Sequence, residues 1–306
     1  MARIFIDGSA GTTGLRIYDR LAQRPELEWI QLPEALRKDP AARQDALNRA
    51  DIAFLCLPDA AAEEAVQLVQ NPNTVLIDTS TAHRSSPGWV YGFAECVGRE
   101  KIAKSKRIAN PGCHASGFIA LVAPLIRAGL LSADAMLTCF SLTGYSGGGK
   151  KMIAEYESES RDPLFDAPRQ YGLTQQHKHL REMSVQTGLH TPPVFCPIVA
   201  DFYSGMEVTV PVFANMLHGT AQDVMNVYTN KYHGPLVRFQ PQDDESGFWS
   251  AAALSGRDDM VLTVGGNAER ILLTARYDNL GKGASGAAIQ NMNLVLGVDE
   301  TTGLVY

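Results

Sequence analysis

The sequence predicts an α/β fold, with a doubly wound parallel-sheet domain followed by an α+β domain built on a mixed sheet. Three observations carry this reading. Short apolar runs alternate with helical patterns as far as Ala109, a glycine-rich turn follows the first run, and beyond Cys113 the runs take on the spacing of a mixed or antiparallel sheet.

Arg3-Ile4-Phe5-Ile6 is the first strand, and the glycine turn after it opens a helix over residues 15–23. Residues 27–32 read as a second strand. Asp51-Ile52-Ala53-Phe54-Leu55-Cys56-Leu57 is an almost unbroken apolar run, the pattern of a strand buried on both faces of a parallel sheet. A helix over 60–69, a strand over 74–78 and a short strand over 107–109 complete a set of right-handed crossovers. In the second half, 136–142, 207–213, 260–264 and 271–277 read as strands, with helices at 220–232 and 283–297. The expected division is a dinucleotide-binding domain over 1–112, completed by the C-terminal helix in 284–306, and a catalytic and oligomerisation domain over 113–283.

Composition narrows the classes. The 306 residues suffice for two domains of roughly 100–200 residues each. With 45% hydrophobic and 20% charged residues, the chain is neither disordered nor collagen-like nor a coiled coil. Its 27 basic and 33 acidic residues leave a net charge of -6, which argues against nucleic acid or an anionic membrane as partner. Apolar runs such as 118–126 fall short of the roughly 20 residues a membrane span needs. The first run, Ile4-Phe5-Ile6, ends at Asp7, so no export signal is read and a cytoplasmic location is expected. The five cysteines, Cys56, Cys96, Cys113, Cys139 and Cys196, include no CxxC pair, which argues for reduced thiols and against zinc.

Gly8-Ser9-Ala10-Gly11-Thr12-Thr13-Gly14 is a GxxGxxG turn between a strand and a helix, as in Rossmann-like domains. Glycines there let backbone amides approach a pyrophosphate at the positive end of the helix, and Ser9, Thr12 and Thr13 add hydroxyl donors. The alternative is a tight turn with no ligand. The second strand ends Ile30-Gln31-Leu32-Pro33, without the acid that binds the 2′-hydroxyl of NAD, whereas Arg37 and Lys38 can approach a 2′-phosphate. The cofactor reading is therefore NADP.

Asn110-Pro111-Gly112-Cys113-His114 follows a strand and precedes an apolar run, which sets Cys113 at or near a helix N-terminus. Positive partial charge and free amides there stabilise a thiolate and can form an oxyanion hole. The residues leave two readings open, a nucleophile or a buried structural thiol. A nucleophile that releases product needs a proton donor, and His177-Lys178-His179-Leu180-Arg181-Glu182 offers one. On a helix, His179 and Glu182 share a face at i,i+3 while His177 projects elsewhere. A solvated polar helix and an HxH metal site are the alternatives, the latter lacking a visible third ligand. In Asp78-Thr79-Ser80-Thr81-Ala82-His83-Arg84, Arg84 is either an anion grip or a surface charge. The glycine-rich segment over 144–151 wraps an anion or serves as a flexible turn, and Asn279 to Gly286 opens the last helix with donors or with small residues for close packing.

In this order, residues 8–14, 80–84, Asn110-Pro111-Gly112-Cys113, His177-Lys178-His179 and 279–286 resemble the N-acetyl-gamma-glutamyl-phosphate reductases, in the shorter of that family's two length classes. The resemblance runs from about residue 3 to 298. Aspartate-semialdehyde dehydrogenases share the fold and the cysteine logic, but the paired histidines favour the N-acetylglutamyl branch. The resemblance implies Cys113 as nucleophile and a histidine of the His177–His179 segment as acid and base, with His177 favoured. It puts Arg84, Asn110, His179 and Glu182 on the substrate side, and Ser80, Asn279 and Lys282 near the cofactor. It further implies an NADPH-dependent, metal-free reduction of an acyl phosphate with release of phosphate in arginine biosynthesis, by a homodimer or homotetramer. Reduction of a related acyl phosphate and a non-catalytic NADP-binding sensor remain the alternatives.

Overall fold

Six parallel strands form the first sheet: β1 (Ala2–Asp7), β2 (Leu27–Ile30), β3 (Ile52–Leu55), β4 (Val75–Asp78), β5 (Val90–Tyr91) and β6 (Arg107–Ala109). Their spatial order is β2-β1-β3-β4-β6-β5. The helices between them are α1 (Thr12–Leu21), α2 (Pro40–Arg49), α3 (Asp59–Leu68), α4 (Ala94–Val97) and α5 (Arg99–Ala103). In this computed structural model, which describes residues 1–242 and 244–306, the sheet belongs to a unit made of Met1–Pro111 and Ala284–Leu304, and a second unit comprises Gly112–Gly283 with Val305–Tyr306. Among the described residues no helix is long and apolar enough to cross a membrane.

The near-continuous apolar strands follow from burial on both faces. Ile4, Ile52, Phe54 and Ile77 point to one face, where Ile17 and Leu21 of α1 meet them. Phe5, Ala53, Leu55 and Leu76 point to the other, against Ala46 and Leu47 of α2 and Ala65 of α3. Each large side chain so buried contributes about 1.5–3 kcal/mol. Helix α2 lies in a stretch with no strong apolar period, and its start is set locally: Asp39 accepts from the Ala42 amide at 2.8 Å, with Pro40 in the first helical position. Asp7 at the end of β1 pairs with Arg43 of α2 at 3.0 Å, both side chains being buried. Burial raises the Asp7 carboxyl against the opposing pull of that guanidinium.

The second unit holds a seven-stranded mixed sheet of β7 (Thr138–Gly144), β8 (Arg169–Gln170), β9 (Val194–Ala200), β10 (Met206–Phe213), β11 (Val237–Phe239), β12 (Met260–Gly266) and β13 (Arg270–Tyr277). The order is β11-β12-β13-β10-β7-β9-β8. Pairs β7/β9 and β11/β12 are parallel and the rest antiparallel. β9, with Pro197 at its middle, escapes sequence reading because proline weakens the local strand signal. Helices α6 (Cys113–Arg127), α7 (Gly149–Tyr156), α8 (His179–Thr187) and α9 (Ala221–Lys231) follow in order. α6 packs on β10 and β13, flanked by α8 and α9. The chain then returns to the first unit as α10 (Gly286–Leu296), which adds Ala288, Ile289 and Met292 to the core above α1. A wide turn, Gly281–Ser285, precedes it, so the regular helix starts later than the pattern over 283–297 predicts.

α6 is the central helix of its unit, buried continuously from His114 to Leu125. Pro124 has no amide hydrogen, which deprives the Ala120 carbonyl of its helical partner. The Tyr232 hydroxyl donates to that carbonyl at 2.9 Å, and Tyr228 donates to the next one, Leu121, at 2.6 Å. At the other end, a Cβ on Gly117 would lie 2.8 Å from both the Tyr277 hydroxyl and Val208. In an open helix Gly→Ala gains about 1 kcal/mol. For Gly117→Ala we expect the opposite sign, a loss of about 1–3 kcal/mol from overpacking, measured as a lower urea midpoint. An unchanged or raised midpoint would show that the first turn has room to give.

Candidate active site

Cys113 is the first residue of α6, directly after Gly112 in extended backbone (φ -81, ψ 145). The first helical bond runs from Ser116 to the Gly112 carbonyl at 3.0 Å. The amides of Cys113, His114 and Ala115 therefore stand ahead of the ladder, at the positive end of a 15-residue helix. The Cys113 side chain is half-buried. Three contacts fix its backbone. The Tyr277 hydroxyl donates to the Cys113 carbonyl at 2.6 Å and accepts from the Gly117 amide at 3.0 Å, so it spans the first turn. Glu182 of α8 accepts from the Gly112 amide at 2.7 Å. Gly283 lies so close that a Cβ there would sit 3.1 Å from the Cys113 Cβ.

The histidines gather behind this turn. His179 begins α8 and is buried, as is Glu182 one turn on. His177 precedes the helix, and contrary to the expectation that it projects elsewhere, its ring lies 4.9 Å from that of His179. The reason is local: the helix begins two residues after His177, so the ring follows the turn and not the helical period. The His179 amide donates to His177 Nδ1 at 3.3 Å, which leaves the proton of a neutral His177 ring on Nε2. Burial lowers the His177 pKa, and the charge of Lys178 adds to the shift. A third imidazole, His114, lies 6.0 Å from the His177 ring and 5.3 Å from that of His179. Its role is invisible in sequence, where it is one polar residue at the head of an apolar run. Ser141 and Tyr171, which bond its two nitrogens, come from β7 and the loop beyond β8 respectively and carry no local signal.

In the first unit, Gly8 has φ +85 and any Cβ on it would run into the Cys56 backbone. A Cβ on Gly14 would lie 2.7 Å from the Gly8 carbonyl. Gly11 donates to that carbonyl at 2.9 Å and caps α1, while Ser9, Thr12 and Thr13 line the turn half-exposed and Ala10 is exposed. This bare backbone at a helix start fits a dinucleotide phosphate. Arg37 and Lys38 are exposed between β2 and α2. Ser80 is held by Asp78, its hydroxyl donating at 2.8 Å, and the same carboxylate meets His83 at 2.6 Å. Arg84 is buried and donates to the carbonyls of Asn110 and Thr79, each at 2.9 Å. Asn110 donates to the Ala284 carbonyl at 2.9 Å and accepts from Asn291 of α10 at 3.1 Å.

Asn279 and Lys282 belong to the second unit, both buried. Asn279 accepts from the Gly205 amide at 2.9 Å and donates to Ser146 at 3.0 Å, which ties the glycine-rich segment after β7 to the strand pair beside it. That segment forms a tight turn, Tyr145–Gly148, leading into α7.

A helix-start thiol with clustered imidazoles in one unit and a phosphate-type glycine turn in the other define a class, the nicotinamide-dependent enzymes that work through a cysteine. Comparison with known proteins narrows it. Residues 113–279 match the family model described as semialdehyde dehydrogenase, dimerisation domain, and residues 31–105 match semialdehyde dehydrogenase, NAD binding domain. A protein of Brucella anthropi named N-acetyl-gamma-glutamyl-phosphate reductase is 48% identical, over 96% of this chain and 98% of its own. N-acetyl-gamma-glutamyl-phosphate reductase 2 of a Nostoc species is 43% identical over 99% of both. Aspartate semialdehyde dehydrogenase II of Vibrio cholerae has the same fold at TM-score 0.72 and 16% identity, over 97% of this chain and 98% of that one. The chain belongs to the semialdehyde dehydrogenase family, in its N-acetyl-gamma-glutamyl-phosphate reductase branch.

The five thiols differ in environment. Burial pushes Cys56 up to about 12 and raises Cys139 as well, and Cys96 is buried. We expect brief iodoacetamide treatment, read by peptide mass mapping, to modify Cys113 first. Labelling of Cys56 or Cys139 at the same rate would remove the case for an activated thiol.

Proposed function

We propose that this chain reduces N-acetyl-gamma-glutamyl phosphate to N-acetylglutamate 5-semialdehyde with NADPH, releasing inorganic phosphate, as a step of arginine biosynthesis. The observation that carries the reading is the 48% identity to a reductase of that name across 96% of the chain, with Cys113 at the head of α6.

In this mechanism the Cys113 thiolate attacks the acyl carbon. The C–S bond forms as the bond to the phosphate oxygen breaks, and phosphate leaves with the electron pair. The amides of Cys113, His114 and Ala115 are the donors offered to the oxyanion. When bound, the nicotinamide cofactor supplies the hydride that a thioester accepts and a free carboxylate resists. His177 donates a hydrogen bond from Nε2–H to the thiohemiacetal oxyanion; as that oxygen re-forms the carbonyl the C–S bond breaks with its electron pair on sulfur, so the aldehyde departs and Cys113 returns as thiolate. Arg84 is the cation assigned to the departing phosphate, since a guanidinium serves several acceptors at once. His179 takes the substrate side, while Glu182 and Asn110 act through the backbone they hold. Gly8 to Gly14 hold the cofactor phosphates, with Ser80, Asn279 and Lys282 assigned to the same ligand. The acid-free end of β2 and the exposed Arg37 and Lys38 favour NADP over NAD.

One sheet face of the second unit stays open, with Phe140, Val194, Phe213 and Leu272 exposed and Leu142 and Ile198 half-buried. An apolar sheet face of this kind supports a homodimer, or a homotetramer built through it. A monomer by light scattering would overturn that assignment. Five free thiols accord with a reducing, cytoplasmic location.

The deciding assay runs the reaction backwards, with NADP, phosphate and either N-acetylglutamate semialdehyde or aspartate semialdehyde, followed at the nicotinamide absorbance band. We expect phosphate-dependent reduction with the acetylated aldehyde alone, lost in Cys113→Ser while NADP binding stays within a few-fold. Turnover of aspartate semialdehyde instead would keep the chemistry and replace the substrate. Silence with both aldehydes, with NADP still bound, would favour a sensor.

A further inference from the structure

The His114 side chain has no task in the reaction above, yet it is 3% exposed and bonded at both ring nitrogens. Nδ1 lies 2.6 Å from the Ser141 hydroxyl and Nε2 lies 2.7 Å from the Tyr171 hydroxyl. A neutral imidazole has one donor and one acceptor nitrogen, so one of these hydroxyls must donate and the other accept. Burial decides which. Ser141 is 0% exposed, and among the described residues His114 is the sole hydrogen-bond partner of its hydroxyl. A Ser141 proton turned away from Nδ1 would be buried without an acceptor, at a cost of about 1–3 kcal/mol. Ser141 therefore donates to Nδ1, the ring proton sits on Nε2, and Nε2–H donates to Tyr171. The Tyr171 oxygen already accepts from His114, so its own proton points away from the ring. Tyr171 is half-buried, its hydroxyl at the edge of the histidine cluster.

We propose that Ser141 and His114 are positioning residues that orient the Tyr171 hydroxyl as a hydrogen-bond donor to the oxygen of the acyl group carried on Cys113. The proposal rests on the thioester reading of Cys113. Two electrostatic facts support it. Burial, then the negative charge of Cys113, raises the Tyr171 pKa, so the phenol keeps its proton and lies within electrostatic reach of the thiolate. Burial, then the charge of His177, pushes His114 down to about 3 from 6.5, so the ring stays neutral. The groups facing it are His177, His179, Tyr171 and Phe195, none of which supplies a counter-charge that would favour imidazolium. The lowered value also fixes a sign. Below 6.5 the unfolded chain binds a proton that the native state refuses, so this site costs stability as pH falls toward about 3.

The test begins without substrate. In histidine-labelled enzyme, 15N NMR, with His114 assigned through a His114→Asn variant, should show the Nε2–H tautomer and no titration between about pH 8 and pH 5. An Nδ1–H ring, or titration in that window, overturns the proposal whatever the substrate proves to be. The second arm is kinetic. Removing one oxyanion donor by Tyr171→Phe should lower kcat roughly 100-fold with KM nearly unchanged. Ser141→Ala frees the ring to take the other tautomer, so Tyr171 turns toward Nε2 and kcat falls, whereas Ser141→Thr keeps the hydroxyl and restores it. The double variant Tyr171→Phe/Ser141→Ala should be no slower than Tyr171→Phe alone. Losses that multiply would show Ser141 acting on its own and sink the relay. If the wild-type enzyme reduces no acyl phosphate, it is the function that fails, and the NMR result still decides the relay.

Discussion

The constraint on which the second unit depends is the continuous burial of α6 from His114 to Leu125. A helix that enters a core at once leaves no water to satisfy its polar groups, so neighbouring elements must do it. Tyr228 of α9 and Tyr232 just after it serve the carbonyls of Leu121 and Ala120, a turn before Pro124, and Tyr277 of β13 serves the first turn. The same burial explains Gly117, where a methyl group would displace either Tyr277 or Val208. Cys113 stands where the helix meets the surface, so the thiol is half-buried while its backbone is held from three sides. In the proposed mechanism the nucleophile thus heads a helix buried from His114 to Leu125, with the first-turn amides at its positive end.

Burial also sorts the histidines. Three imidazoles share one neighbourhood, and the deeper His114 is driven further from protonation than the half-buried His177. A cluster in low dielectric cannot hold several positive charges, and in the proposed mechanism the ring that meets the substrate is the half-buried His177. The inner ring is left with geometry as its remaining function, because a neutral imidazole transmits hydrogen-bond direction from one nitrogen to the other.

The first unit solves a different problem, that of exposing backbone. Gly8 and Gly14 sit where a side chain would strike the Cys56 or Gly8 backbone, which leaves the amides at the start of α1 uncovered. The surrounding polar side chains also hold structure: Arg84 bridges Thr79 and Asn110, and Asn110 ties β6 to α10 through Ala284 and Asn291. The Asp7–Arg43 pair anchors α2 to the end of β1 in the same way.

The fold class, most strands of both sheets and the helix start at Cys113 were legible in sequence, because each rests on local pattern: alternating burial, glycine before a helix, a thiol after a proline-glycine turn. Helix α2 and strand β9 were not, since one lacks an apolar period and the other carries Pro197. At the candidate site the chain itself determined which reactive side chains exist and which of them begin helices. Tertiary structure decided their partners. The pairing of β7, β9 and β8 brings Ser141 and Tyr171 to His114, across 27 and 57 residues of chain, and the packing of α8 on α6 brings Glu182 to Gly112, 70 residues away. Contacts at such separations depend on strand register and helix packing, which no window of neighbouring residues encodes.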